Sequence, residues 1–590
     1  MSTSSSSNQN TGIFSGRPGA PWLFCLAALL IAVPFSWFAD MPERDVASRY
    51  ASMAEAFAAG SWTYAFHPRI PALFPAVCGV LVRLFGISGF SAAKVVSVAC
   101  FSATVFPLFG VMRRFFGDRI AAGSLLVYIV NPFLLRLSST GLRETMKCLF
   151  LVMIVHAVLL IRDKPGSPAR YLFLGACTGF AMITRSEMIL FGGLVLFCMM
   201  VRETLVKLEL RRAAAEANAA AEANFSATKV LPLPLCSLAG TLLTAGFVFI
   251  PAVINRAVFG IPTPEVRFLG LFESAFGRAP TLADAAVIAV LAPFAMAVAA
   301  LALGSVFSGK RLKPFLIVVS GLVAAAYVAI FVWQMLRYGY RPESVKEFLL
   351  SFERAFDPLW TIPAVIGLAV RIRGRKCTAG ETLLLAFIVV HTVIVTGQVM
   401  LFDRTLTISV RYMIPVSPLG FGWTFCGIAA VANLLGRCIP HVTERTALAV
   451  LLVAYVAGAL FHCFGPILKD YFEPRHKAVR LGTLQLAEYF RANRPARSRA
   501  VPPPVDLMDY EGCAAPGVLF ERTSKHTVSA YLAGGRSVRD PEHADFYVTG
   551  PALPDELSEP PGEGWGTAEE DIPMGRGRFC RVFRREEAGQ

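Results

Sequence analysis

Residues 67–85 read HPRIPALFPAVCGVLVRLF, and the topology of the whole chain turns on whether they cross a membrane. The run is apolar, yet Pro71 and Pro75 interrupt it and His67-Pro68-Arg69 open it. A spanning helix needs about 20 apolar residues to cover roughly 30 Å of hydrocarbon. This segment is of modest length, which suits a helix lying along the membrane surface. The basic clusters downstream decide the point: Arg113/Arg114/Arg119, Arg162/Lys164/Arg170, Lys310/Arg311/Lys313 and Arg371/Arg373/Arg375/Lys376. With 70–85 on the surface, all four clusters fall on the cytoplasmic side, as the positive-inside rule requires. Counting it as a span puts most of them outside.

That argument presumes a membrane, and composition supplies one. The chain has 590 residues, 55% hydrophobic and only 16% charged, with a mean hydropathy of +0.56. Soluble chains carry about 25% charged residues. The net charge of +15 sits mainly in short loops between apolar runs, so it marks topology and not a nucleic-acid groove. The thirteen cysteines include no C-x-x-C pair, which argues against a structural zinc site. Cys513 and Cys580 lie in the polar tail, placed to pair if that tail meets an oxidising compartment.

The predicted architecture is an all-α polytopic membrane protein with about 13 spanning helices and a small C-terminal α/β domain. Residues 1–21 read as a disordered cytoplasmic start, and Trp22–Phe38 as a retained signal-anchor, since no small-x-small cleavage site precedes Asp40. The first external loop, 39–91, is expected to hold interfacial helices. Further spans are expected at 92–112, 120–136, 146–161, 171–184, 187–201, 230–253, 285–307, 315–336, 357–370, 380–400, 412–434 and 446–465. Arg202–Lys229 reads as a cytoplasmic helical connector. The membrane domain thus covers 22–465 and the extracytoplasmic domain 466–590. In the tail, a helix is expected at Lys477–Arg491 and strands at His526–Leu532, Asp545–Thr549 and Phe579–Arg584.

This topology gathers charge at one membrane level. Val46–Ala58 can form an amphipathic helix with Tyr50, Met53, Ala54 and Phe57 on one face, and Asp45 at its start reads most simply as a cap. Arg143 and Glu144 stand at the mouth of the next external span, Arg185 at another span end, and Arg411 leads into RYMIPVSP. Singly, each is an interface anchor. Together, carboxylates and arginines at a lipid–water boundary suit transfer from a phosphate leaving group. A carboxylate can take a proton from an attacking hydroxyl, and guanidinium groups can hold the departing phosphate.

The order of these elements resembles the GT-C glycosyltransferases, within them the protein mannosyltransferase-like and aminoarabinose transferase-like family (glycosyltransferase family 39-like). The similar elements are Arg44-Asp45, Tyr50, Ala58-Ala59-Gly60, His67-Pro68-Arg69-Ile70-Pro71 and Leu84-Phe85-Gly86. Asn131-Pro132 followed by Arg143-Glu144, Thr184-Arg185, and Arg411-Tyr412 with Pro415 and Pro418 complete them. The chain departs from the family at Arg44, where an acid is common, at Glu144, where Asp is frequent, and in its HPR in place of HPP. The resemblance implies a GT-C fold and a polyprenyl-phosphate sugar donor, hexose or pentose. The acceptor would be an extracytoplasmic lipid, glycan or protein, glycosylated with inversion at the inner (plasma) membrane. It implies Asp45 and Glu144 as catalytic carboxylates, Asp45 as general base. Arg185 and Arg411, then Arg143, His67, Tyr412 and Arg44, would bind the lipid phosphate or sugar. No metal ligand set and no certain cofactor is implied, with a divalent cation (Mg or Mn) as an option.

Two other readings fit parts of the sequence. A secondary transporter needs ionisable sites near the bilayer midplane; the candidates Lys94, His156, His391 and Gln398 are scattered, and no internal repeat is visible. A non-catalytic assembly protein with the same fold is the other.

Overall fold

The computed structural model describes residues 19–39, 41–43, 45–60, 65, 70–164, 167–185, 187–188, 191–196, 199, 235–244, 246, 350, 355–374, 377–402, 410–472 and 474–492, followed by five strands. Helix α1, Ala20–Phe38, is apolar all round. Trp22 and Trp37 at its two ends are 67% and 82% exposed, the placement of aromatic belts at membrane interfaces. Lys94 Nζ donates to the carbonyls of Ser36 (3.0 Å) and Ala39 (3.2 Å) and so covers the C-terminal end of α1. One transporter candidate therefore has a structural occupation.

A π-helical turn, Val46–Ala51, leads into α2, Ser52–Ala58. Tyr50, Met53, Ala54 and Phe57 are all buried, the face that the amphipathic spacing predicts. Helix α3, Leu73–Phe85, has 13 residues, about 20 Å at 1.5 Å per residue. At that length it falls short of the roughly 30 Å that a spanning helix covers. Phe74 and Cys78 point inward, while Val80, Leu84 and Phe85 are exposed. Gly86, at φ +64°, ends it in the left-handed conformation that glycine adopts without strain.

Helices α4, Gly89–Ala103, and α5, Val105–Phe116, form one apolar span. The expected span at 120–136 is instead two helices, α6 (Asp118–Ile129) and α7 (Pro132–Ser139), bent by 53°. Asn131 accepts from the Leu134 N–H and Pro132 lacks a donor, so the pair starts a new helix where a straight one was read. Helix α8, Glu144–Asp163, follows, then α9, Pro168–Met182. The apolar helix Leu235–Thr244 packs on α9, with Ser237 Oγ donating to Tyr171 O and Thr241 Oγ1 to Gly175 O.

After α10 (Pro358–Arg373) and α11 (Ala379–Phe402), the expected span at 412–434 opens as 3-10 turns, Val410–Tyr412 and Ile414–Gly420, before α12, Phe421–Cys438. Pro415 and Pro418 withhold the N–H groups that an α-helix would use there. Helix α13, Glu444–Phe472, is the last apolar helix, and α14, Pro474–Ala492, contains the helix expected in the tail. Among the described residues five helices are long and apolar enough to cross a membrane, or six with the bent pair. The protein is a multi-pass membrane protein. The connector 202–229, the spans at 285–307 and 315–336, the strand at 526–532 and Cys513 lie outside the described residues.

The charges separate by end. Helix α8 runs from Glu144 to Asp163, 20 residues or about 30 Å. At its far end Arg114 pairs with Asp163, Arg113 lies 2.6 Å from Asp118, and Arg119 lies 3.9 Å from Glu444. At its near end lie Asp45, Arg185 and Arg411. Arg113, Arg114 and Arg119 and the candidate site thus occupy opposite ends of one membrane-length helix.

Beyond α14 a five-stranded sheet has the order β2-β1-β3-β5-β4. Strands β1 (Gly517–Phe520), β2 (Arg536–Val538) and β3 (Phe546–Ala552) are parallel; β4 (Trp565–Gly575) and β5 (Arg578–Arg585) join antiparallel. The strands expected at 545–549 and 579–584 are β3 and β5; β1, β2 and β4 were not foreseen. Helix α14 packs against β4. Cys580 is buried in β5.

Candidate active site

Asp45 does not cap its helix. Its backbone is already helical (φ −66°, ψ −27°) and its side chain takes no capping hydrogen bond. The carboxylate instead pairs with the Arg411 guanidinium, 366 residues away, and lies 3.6 Å from Arg49 Nη1. The π-helical turn beginning at Val46 adds a residue to the first turn, a feature frequent at functional sites. Burial pushes the Asp45 carboxyl up, but Arg411 and Arg49 outweigh it, and the net position is below the usual aspartate value. Glu43 goes the other way: burial raises it, and Arg136, 4.0 Å off, offsets this only in part.

Arg411 bridges two acids. Its Nε lies 4.0 Å from Glu144 Oε1 while Nη2 holds Asp45. Glu144 is fully buried at the N-terminus of α8, where the helix dipole favours a carboxylate. Arg185 Nη1 donates to Glu144 Oε1 at 2.5 Å, and Arg185 Nε lies 2.5 Å from Glu187 Oε1. Tyr412 lies against both guanidinium groups, 4.2 Å from Arg185 and 5.3 Å from Arg411 by ring centroid. Aromatic faces attract such cations. Asp45, Glu144, Arg185, Arg411 and Tyr412 are therefore one contiguous cluster.

Arg143 stands beside it. It donates to the Thr184 carbonyl at 3.3 Å and lies 5.0 Å over the Tyr50 ring, and its Nε is buried without a hydrogen bond. Among the described residues no carboxylate pairs with it. Glu144 Oε2 is likewise buried and unpartnered. The expected His67 and Arg44 lie outside the described residues.

Two members of the cluster were missed. Lys147 is fully buried and donates to Glu187 Oε1 (2.9 Å) and to the Tyr412 carbonyl (3.0 Å). Their signal was in the sequence: a lysine and a glutamate just inside apolar spans are rare without a purpose.

No three His, Cys, Asp or Glu residues cluster as metal ligands among the described residues. Between Asp45 and Glu144 stands Arg411, in the place that a divalent cation bridging the two acids would take. The residues present do not fit such a cation.

The arrangement defines a class: a polytopic membrane protein with an acid–arginine cluster where several helices end at one membrane face. Residues 69–219 match the family model described as dolichyl-phosphate-mannose-protein mannosyltransferase. This match supports the expected GT-C glycosyltransferase resemblance over the segment holding Arg143, Glu144, Lys147, Arg185 and Glu187. Asp45, Arg411 and Tyr412 lie outside it. The structure is similar to that of ArnT from Cupriavidus metallidurans bound to undecaprenyl phosphate, at TM-score 0.49 and 14% identity, over 96% of this chain and 98% of that one. It is also similar to the archaeal oligosaccharyltransferase AglB from Archaeoglobus fulgidus in complex with an inhibitory peptide and a dolichol-phosphate. There the TM-score is 0.46 and the identity 13%, over 89% of this chain and 65% of AglB. The chain thus spans just under two thirds of the AglB length. No curated protein matches the chain in sequence.

Proposed function

We propose that the protein is a membrane glycosyltransferase. It moves a hexose or pentose from a polyprenyl-phosphate donor to an extracytoplasmic lipid, glycan or protein acceptor, with inversion. The observation that carries this reading is the contact chain Asp45–Arg411–Glu144–Arg185 at the ends of apolar helices, where a lipid phosphate would lie. The family match supports a lipid-phosphate sugar as donor.

In one in-line step the acceptor oxygen forms its bond to the anomeric carbon while the carbon–phosphate-oxygen bond breaks. The acceptor hydroxyl proton passes to Asp45, and the bonding pair leaves with the phosphate. Within the cluster Asp45, Glu144 and Glu187 engage Arg49, Arg185, Arg411 and Lys147, so among its described residues the cation without a carboxylate partner is Arg143. Arg143 is accordingly the first grip on the phosphate, ahead of the arginines that the sequence favoured. Arg411 has a double task. While it holds Asp45 it keeps that carboxylate a weak base. An arriving phosphate competes for Arg411, and Asp45 regains basicity when donor is present. Glu144, held by Arg185, orients Arg411.

The transporter reading loses ground because Lys94 is occupied by the end of α1. Turnover of radiolabelled polyprenyl-phosphate sugar by the purified protein in liposomes separates the readings. A general base contributes about 10²–10⁴-fold, so Asp45→Asn is expected to lose that much turnover with its melting temperature close to wild type. A transporter would move substrate without consuming donor, and an assembly protein would do neither. Near-normal transfer by Asp45→Asn would remove Asp45 from the role.

A further inference from the structure

We infer that Lys147 and Glu187 are a buried positioning pair that sets Arg185 and the Arg411–Tyr412 turn for transfer, an inference that rests on the glycosyltransferase reading above. Lys147 lies one turn beyond Glu144 on α8, so the two side chains share a face of the helix. Its Nζ joins three segments distant in sequence: α8, the stretch after α9 through Glu187, and the 3-10 turn through the Tyr412 carbonyl. Glu187 Oε1 then serves two cations, Lys147 at 2.9 Å and Arg185 at 2.5 Å.

An ion pair at this depth is a poor way to gain stability. Desolvating both charges offsets much of their attraction, and apolar residues of similar volume often do as well. What the pair supplies is placement. Arg185 is held on one side by Glu144, on another by Glu187, with its face on the Tyr412 ring. Fixed in this way, Arg185 holds Glu144 against Arg411, the residue that grips Asp45. Lys147 also fixes the carbonyl adjacent to Arg411 in the chain. Remove the pair, and among the described residues Arg185 keeps Glu144 alone as a charged partner, while the turn bearing Arg411 loses its anchor. Neither residue touches Asp45, so both act through the arginines.

The test uses the full-length protein with three variants: Lys147→Met, Glu187→Gln and the double variant. The double variant leaves Asp45 and Glu144 balanced by Arg185 and Arg411, so it avoids an unpaired buried charge. Melting in detergent reads the pair without reference to activity: the double variant should be less destabilised than the sum of the singles. The activity probe is radiolabelled polyprenyl-phosphate mannose, with native membrane lipids and glycans as acceptor source. Misplacing a catalytic group by about 1 Å can cost on the order of 100-fold. The maximal rate of the double variant should therefore fall by roughly 10- to 100-fold, with donor KM little changed because Arg143 is untouched. Lys147→Arg, which keeps the charge, should recover part of the rate.

Additive melting shifts would show that the pair does not exist in the membrane protein, and the inference fails. Coupled melting with a wild-type maximal rate would reduce the pair to a structural staple and overturn the positioning role. Wild-type protein that consumes no polyprenyl-phosphate sugar of any kind would sink the enzyme reading, and the positioning role with it, while the melting data would still report the pair.

Discussion

Arg143 shows how contacts reassign roles among residues that look alike in sequence. Three arginines stand at expected external span ends, and the family resemblance ranked Arg143 behind Arg185 and Arg411. Arg185 and Arg411 are engaged by Glu144, Glu187 and Asp45, whereas among the described residues Arg143 meets a carbonyl and the Tyr50 face and pairs with no carboxylate. Tyr50 itself is pushed up by burial to about 12, so it stays a neutral ring against the guanidinium. A hydrogen bond to a charged group contributes about 1.5–3 kcal/mol. Arg143→Gln is thus expected to raise the donor KM by roughly 10- to 100-fold, with a smaller change in maximal rate. Initial rates against donor concentration check it; an unchanged KM would return the phosphate to another cation. The sequence marked Asp45, Glu144, Arg185 and Arg411 because polar residues at the ends of apolar runs are visible by inspection. It hid Lys147 and Glu187, because they fall just inside those runs and their pairing joins residues 40 positions apart. It also made Asp45 a cap, since a partner 366 residues away leaves no local trace.

At the scale of elements, apolar length gave the helices and local chemistry decided where they break. The bend at Asn131-Pro132 and the 3-10 opening at Pro415 and Pro418 were written in the sequence, yet a hydropathy reading passes straight over both. The close crossing of α10 and α12 was not legible at all. Gly367 on α10 and Gly427 on α12 let the two backbones touch: a Cβ at Gly427 would meet the Pro363 carbonyl oxygen at 1.9 Å, and one at Gly367 the Trp423 carbonyl oxygen at 2.0 Å. Small residues at helix crossings allow such approach in membranes, where packing drives association. Backbone cannot move aside as a rotamer can. Gly427→Ala should therefore cost about 1–3 kcal/mol through overpacking. The expected readout is a lower melting temperature in detergent, whereas Gly193→Ala, with open space around its Cβ, should melt like wild type. Equal melting of the two variants would mean that α10 and α12 lie further apart than described.

For the whole molecule, the segment at 70–85 ties sequence to sidedness. Leaving it out of the span count places Asp45, Glu144 and the arginines at the end of α8 opposite Arg114 and Asp163, and the structure keeps those groups apart. The positive-inside rule then predicts the orientation of the bundle: the Arg113–Arg119 end is expected in the cytoplasm, the acid–arginine cluster and the tail outside. Two native cysteines report this directly. Cys377 and Cys438 are exposed at the basic end, Cys377 shortly after Arg371 and Arg373 and Cys438 beside Arg437 in sequence. In the tail, Ala568 is exposed on β4, and Ala568→Cys would supply a thiol there. A membrane-impermeant maleimide added to intact spheroplasts should label Ala568→Cys, while Cys377 and Cys438 should react only after permeabilisation. The reverse pattern would invert the molecule and put the cluster in the cytoplasm. Labelling of all three sites from one side would show that the tail and the basic loops share a face. Helix α13, which separates Cys438 from the tail, would then not cross the membrane.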